Sequence, residues 1–121
     1  ALSLLGKELT RRAGAKCELC EAAVVKLSPY EVAPVPVEPD VDHCLFICDT
    51  CTEQLDNPKR IDPNHWRCLT KAIWSELPVI QVASVLMLRR LEPLEWAREL
   101  LEQAYLPEEV DNWIQQAERG A

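Results

Sequence analysis

Cys17-Glu18-Leu19-Cys20 and, after 27 intervening residues, Cys48-Asp49-Thr50-Cys51 are the stretches that decide how this chain folds. Two residues between thiolates let one tight turn aim both sulfurs at the same ion. Two such turns brought together complete a tetrahedral four-cysteine site with Zn–S bonds of about 2.3 Å. A thioredoxin-like redox motif would be a single CxxC opening a helix after a strand. Disulfides are the structural alternative, and six cysteines allow 15 pairings, none favoured by spacing. We therefore expect one structural Zn2+ per chain, held by Cys17, Cys20, Cys48 and Cys51. The spacing is not that of a ferredoxin cluster, although a single iron fits the same ligand type. Cys44 and Cys68 remain, and read as buried thiols acting as small hydrophobes. Asp40, Asp42 and His43 beside Cys44 are the residues available for a second ion.

Outward from the cysteines, the chain divides into an N-terminal helix plus zinc module over 1–60 and a helical region over 61–121. Leu2, Leu5, Leu9 and Ala13 recur at helical spacing over 2–13, and Gly14 is a natural stop. Lys16 to Glu21 would form the first metal-binding turn. The runs 22–27 and 30–32, split by Ser28-Pro29, suggest a small hairpin. Residues 33–42, with three prolines, read as an exposed loop. A strand over 43–47 would deliver the second CxxC to a helix over 49–56. Pro63, Pro78, Pro93 and Pro107 each fit the first position of a helix, predicting helices over 63–76, 78–91, 93–104 and 107–119. The 78–91 segment is apolar nearly all round, as expected of a central helix or of a homodimer surface. Trp66, Trp74, Trp96 and Trp113 read as core anchors. The expected fold class is α+β, mostly α: a small four-cysteine, treble-clef-like zinc module followed by a helical C-terminal half.

Charge limits the partners. With 13 basic and 20 acidic residues the formal charge is −7, and residues 17–62 alone account for −7. Four thiolates around Zn2+ bring the loaded protein to about −9. Nucleic-acid binders draw most of their affinity from cations on phosphate, so this balance argues against one. Lys7, Arg11, Arg12 and Lys16 form the main basic patch, read as a solvated helix face. No apolar run reaches the roughly 18 residues that would span a bilayer. The basic residues follow rather than precede the first apolar residues, unlike a signal peptide. Reduced thiols and the lack of such signals lead us to expect a cytoplasmic protein with an unidentified protein partner.

The segments Arg12–Cys20, Tyr30-Glu31-Val32, Cys48–Cys51, Asn64-His65-Trp66-Arg67-Cys68-Leu69, and Trp74-Ser75-Glu76 with Pro78-Val79 and Gln81-Val82 resemble PhnA-type proteins. That family is named from an alkylphosphonate operon, and the longer members are the closer match. The resemblance covers nearly the whole chain. Longer members continue into a small SH3-like β-domain, whose G-D-x-V and K-D-L pattern is absent here; the chain resembles a short variant or a piece of such a protein. The family implies zinc and a fold, but no reaction.

The zinc half also looks like the treble-clef core of HNH endonucleases, which implies a metal-dependent nuclease or phosphoester hydrolase as the alternative function. Such a site needs a general-base histidine and further ligands for a divalent ion. Where that family has its histidine pair this chain reads Val32-Ala33-Pro34, and the helical histidine is Thr52. The groups left for catalysis are Glu31, Asp40, Asp42 and His43, or His65 with Asn64 and Arg67. The expectation is a non-catalytic module in which His65 and Trp66 dock the helical half onto the zinc half.

Overall fold

The computed structural model describes residues 5–119. The fold is α+β and mostly α. Helix α1 (Gly6–Ala13) ends where Gly14 turns left-handed, at φ 61°, so that its N–H reaches the Thr10 carbonyl at 3.2 Å. The expected start of this helix at residue 2 lies outside the described residues. Strands β1 (Leu27–Glu31) and β2 (Cys44–Cys48) pair antiparallel, with Leu27 opposite Cys48 and Glu31 opposite Cys44. Helix α2 (Asp49–Asp56) follows β2 directly, and α3 (Leu69–Ala72), α4 (Pro78–Arg90), α5 (Glu95–Gln103) and α6 (Glu108–Arg119) complete the chain. None of the described helices is long and apolar enough to cross a membrane.

The expected hairpin between 22–27 and 30–32 does not form. The chain runs straight through Ser28-Pro29 as one strand and pairs with 44–48 instead. This works because β1 has a single neighbour. Val32 donates to the His43 carbonyl at 2.9 Å, so the even-numbered residues face β2 and the missing Pro29 N–H faces away from the ladder. Residues 22–25 are instead drawn back to the first CxxC by a bridge between Lys16 and Ala23.

The helix expected over 63–76 is also broken. Asp62, Pro63 and Asn64 accept from His65, Trp66 and Arg67, three residues on, which winds 65–68 as a 3₁₀ turn before the single α-turn of α3. Three residues per turn eclipse positions i and i+3. Trp66 and Leu69 thus share one side, and both are wholly buried.

Helix α4 occupies the centre of the helical half. Val79 to Val85 are all buried, with Met87 and Leu88, and α4 packs on α3, α5, α6 and β2. Its apolar surface is used inside the chain, leaving Leu86 half-buried. The tryptophans do not share one role. Trp66 is fully buried and Trp96 and Trp113 half-buried, while Trp74 is 52% exposed, because the chain leaves helical geometry after Ala72. One apolar core runs from Cys17, Leu19, Ile47 and Cys51 through Trp66 and α4 to Ile114.

Candidate metal centre

The first CxxC is shaped by backbone. Cys17 N–H donates to the Ala22 carbonyl at 3.0 Å, and Glu21 N–H returns to the Cys17 carbonyl at 2.9 Å. Glu21 adopts φ 63° to close this turn, a left-handed conformation that L-residues with a Cβ rarely take. Glu18 N–H then donates to the Phe46 carbonyl at 3.1 Å, fastening the turn to β2. The second CxxC straddles the end of β2 and the first turn of α2. Cys48 is extended and precedes the helix, and Cys51 lies in the first turn, where unpaired N–H groups and the helix dipole favour a thiolate.

The four sulfurs of Cys17, Cys20, Cys48 and Cys51 all lie within 4.8 Å of one another. Cys17 and Cys51 Sγ are 3.8 Å apart, and Cys20 and Cys48 Sγ 3.6 Å. A tetrahedron of four sulfurs around zinc with bonds of 2.3 Å has S···S edges of about 3.8 Å. The tetra-Cys group is thus positioned to hold a metal ion, and its dimensions and soft donors fit zinc. Cys17, Cys48 and Cys51 are buried and Cys20 is half-buried.

Without a cation the four sulfurs cannot all ionise. The Cys51 thiol donates to Cys17, and with the Cys48 N–H at 3.4 Å this holds Cys17 down at about 4, against the effect of burial. For the same reason Cys51 is pushed far up, helped by burial and the neighbouring thiolates. Burial raises Cys20 to about 11, assisted by Cys17. Loading therefore has to expel the protons of at least Cys20 and Cys51. The loaded form binds fewer protons, so raising the pH favours loading and acid releases the ion. We expect zinc affinity to rise by about 100-fold or more per pH unit around pH 7. Calorimetry in buffers of different ionisation enthalpy should count two or more protons released per ion.

The remaining cysteines stay outside the cluster. Cys44 is wholly buried and its thiol is raised, mainly by burial. Cys68 is half-buried rather than buried, and burial together with the nearby thiols pushes it up to about 12.

The other expected groups do not assemble. Asp40, Asp42 and His43 line one cavity of about 560 Å3 with Trp113, whose ring lies 4.5 Å from that of His43. His43 Nδ1 lies 3.3 Å from Asp40 Oδ2. Among the described residues, however, the tetra-Cys group is the one set of three or more His, Cys, Asp or Glu side chains close enough to share an ion. A second ion on Asp40, Asp42 and His43 has no geometric basis. Asp40 instead accepts from the Asp42 N–H at the start of the Val41–His43 turn. Glu31 lines a different cavity, with Tyr30, Leu45 and Leu55. Asn64, His65 and Arg67 do not come together as a catalytic group either. Arg67 lies over Trp96, 4.8 Å from its centroid, whereas His65 Nε2 lies 3.2 Å from Cys51 Sγ.

Sequence reasoning missed two participants. Glu18, inside the first CxxC, is a buried carboxylate paired with Arg12, and Gln54 is buried and accepts from both Trp66 Nε1 and the Asp62 N–H, at 2.7 and 2.8 Å. An acid between two ligand cysteines and a glutamine on the buried face of α2 were the available signals. Compared with known proteins, the chain matches no family model, no curated protein and no solved structure.

Proposed function

We propose that this protein is a PhnA-type structural-zinc module that acts as a non-catalytic binding or adaptor protein. The convergence of four cysteine sulfurs within 4.8 Å carries the reading. Four thiolates complete a tetrahedral zinc shell, which leaves no coordination position for water or substrate; catalytic zinc sites keep one open. The order CxxC, strand, strand, CxxC opening a helix supports a treble-clef-like reading of the module. Zinc in such a centre contributes to folding, because a segment as small as 14–58 buries too little surface to hold itself together. A cytoplasmic setting keeps the thiols reduced, and the acidic surface favours a protein partner over nucleic acid.

Elemental analysis of protein purified without chelators should find one zinc per chain. Metal-free protein, or iron in place of zinc, would overturn the assignment. Plasmid and a generic phosphodiester should stay intact with Mg2+ and Mn2+. Cleavage that disappears in a His43→Ala, His65→Ala double mutant would make the protein an enzyme.

A further inference from the structure

We propose that His65 is a fifth protein group of the metal centre, a positioning residue through which the helical half sets how tightly the N-terminal half holds its ion. The proposal rests on the metal-binding reading above. His65 Nε2 lies 3.2 Å from Cys51 Sγ, and Cys51 is wholly buried. A metal-bound thiolate only accepts, so in the loaded protein this contact is Nε2–H donating to sulfur, which assigns the proton to Nε2.

The histidine is clamped rather than loosely placed. Its own N–H donates to the Asp62 carbonyl at 3.0 Å, and the Trp66 ring meets it edge-on with centroids 5.1 Å apart. Trp66 Nε1 and the Asp62 N–H both end on Gln54 Oε1. Gln54 is one turn beyond Cys51 on α2. Glutamine and ligand therefore move as one body, and the 3₁₀ turn is registered on that body from both sides of His65.

The physical effect follows from charge. Zinc with four thiolates is a buried dianion, and each N–H···S bond drains density from a sulfur. Cys17 has a backbone donor in the Cys48 N–H. His65 plays that part for Cys51, and it is the donor that comes from the other half of the chain. Outer-shell partners of this kind change metal affinity by roughly 10–100-fold.

The test uses the full chain loaded with Zn2+ or Co2+, comparing wild type with His65→Phe and His65→Gln. Phenylalanine keeps a ring against Trp66 but has no donor, while glutamine keeps an N–H. His65→Phe should lose zinc to a chromophoric chelator about tenfold or more faster than wild type, and His65→Gln should stay within about threefold of it. In the cobalt form the thiolate-to-metal charge-transfer band should move to lower energy in His65→Phe only, since an undrained sulfur gives up its electron more easily. If phenylalanine prevents folding, His65→Ala serves in the same comparison. Unchanged affinity and band in the donorless variant would overturn the proposal. So would equal weakening of both variants with no band shift, which would mark a packing role alone. A wild-type cobalt spectrum showing one nitrogen ligand would overturn it too, by making His65 a ligand instead. Failure of the wild type to take up either ion would sink the metal-binding reading itself, a different result from failure of the histidine.

Discussion

Cys51→Ser abolishes tight zinc binding and unfolds the N-terminal half: this is the largest effect we expect of any single substitution. A serine hydroxyl does not ionise near neutral pH and is a poor zinc ligand, so the shell drops to three thiolates. Structural zinc contributes apparent free energies of about 10–16 kcal/mol in small zinc modules, comparable to the whole stability of a typical domain. Cys51 is also the sulfur that lies against both Cys17 Sγ and His65 Nε2. Its loss therefore loosens the first CxxC turn and the 3₁₀ turn together. Cys17→Ser should behave similarly, and exhaustive chelation of the wild type should reproduce both. The readout is amide hydrogen exchange, which should lose protection across residues 14–58. Because Ile47, Cys48 and Cys51 share one core with Trp66 and α4, the melting temperature of the whole chain should fall as well. A Cys51→Ser protein that keeps one zinc per chain and the wild-type melting curve would contradict this account.

The second large effect lies at Arg12. Its guanidinium grips the Glu18 carboxylate with two bonds of 2.7 Å and donates to the Val41 and Cys44 carbonyls at 2.9 and 2.7 Å. Glu18 is 3% exposed and takes a further bond from the Phe46 N–H at 2.8 Å. This single pair joins α1, the first CxxC, the 3₁₀ turn over 41–43 and β2. Breaking a buried ion pair from one side leaves a desolvated charge, which costs about 3–5 kcal/mol. Arg12→Ala should lose stability in that range in denaturant titrations of the zinc-saturated protein. Adding Glu18→Gln to Arg12→Ala should recover part of the loss, since the stranded carboxylate becomes a neutral amide. Arg12→Lys should fall short of wild type, because an ammonium cannot present the planar fork that holds Glu18 and two carbonyls together. If Arg12→Ala is neutral, the pair does not organise the module.

Arg12 also shows where reading along the chain stops. In sequence it belongs to a basic helix end beside Arg11, and both look like solvated charge. Arg11 is exposed and Arg12 is not. What separates them is a carboxylate six residues away and two carbonyls about thirty away, which no local pattern records. The same holds for Trp74 and Trp66. Both sit in one expected helix, but a 3₁₀ turn places Trp66 inward and the chain leaves helical geometry after Ala72, before Trp74, which is exposed.

The sequence by itself pointed to the four-cysteine cluster, because two residues between cysteines favour a turn that aims both sulfurs one way, and two such turns have one economical meeting point. It determined Gly14 as a helix stop, α2 as the carrier of the second pair, and 78–91 as an apolar helix whose central place only the packing decided. These depend on left-handed backbone, on prolines and on apolar composition within a few residues. Tertiary structure decided what depends on distant partners. It decided that β1 runs through Pro29, because the strand lies at an edge. It buried Arg12 on Glu18, and it set Asp40, Asp42 and His43 apart as a cavity wall rather than an ion site. It also turned His65 from Arg67 toward Cys51. Each of those outcomes is a competition for hydrogen bonds and burial between segments far apart in the chain, settled only when one core forms across both halves.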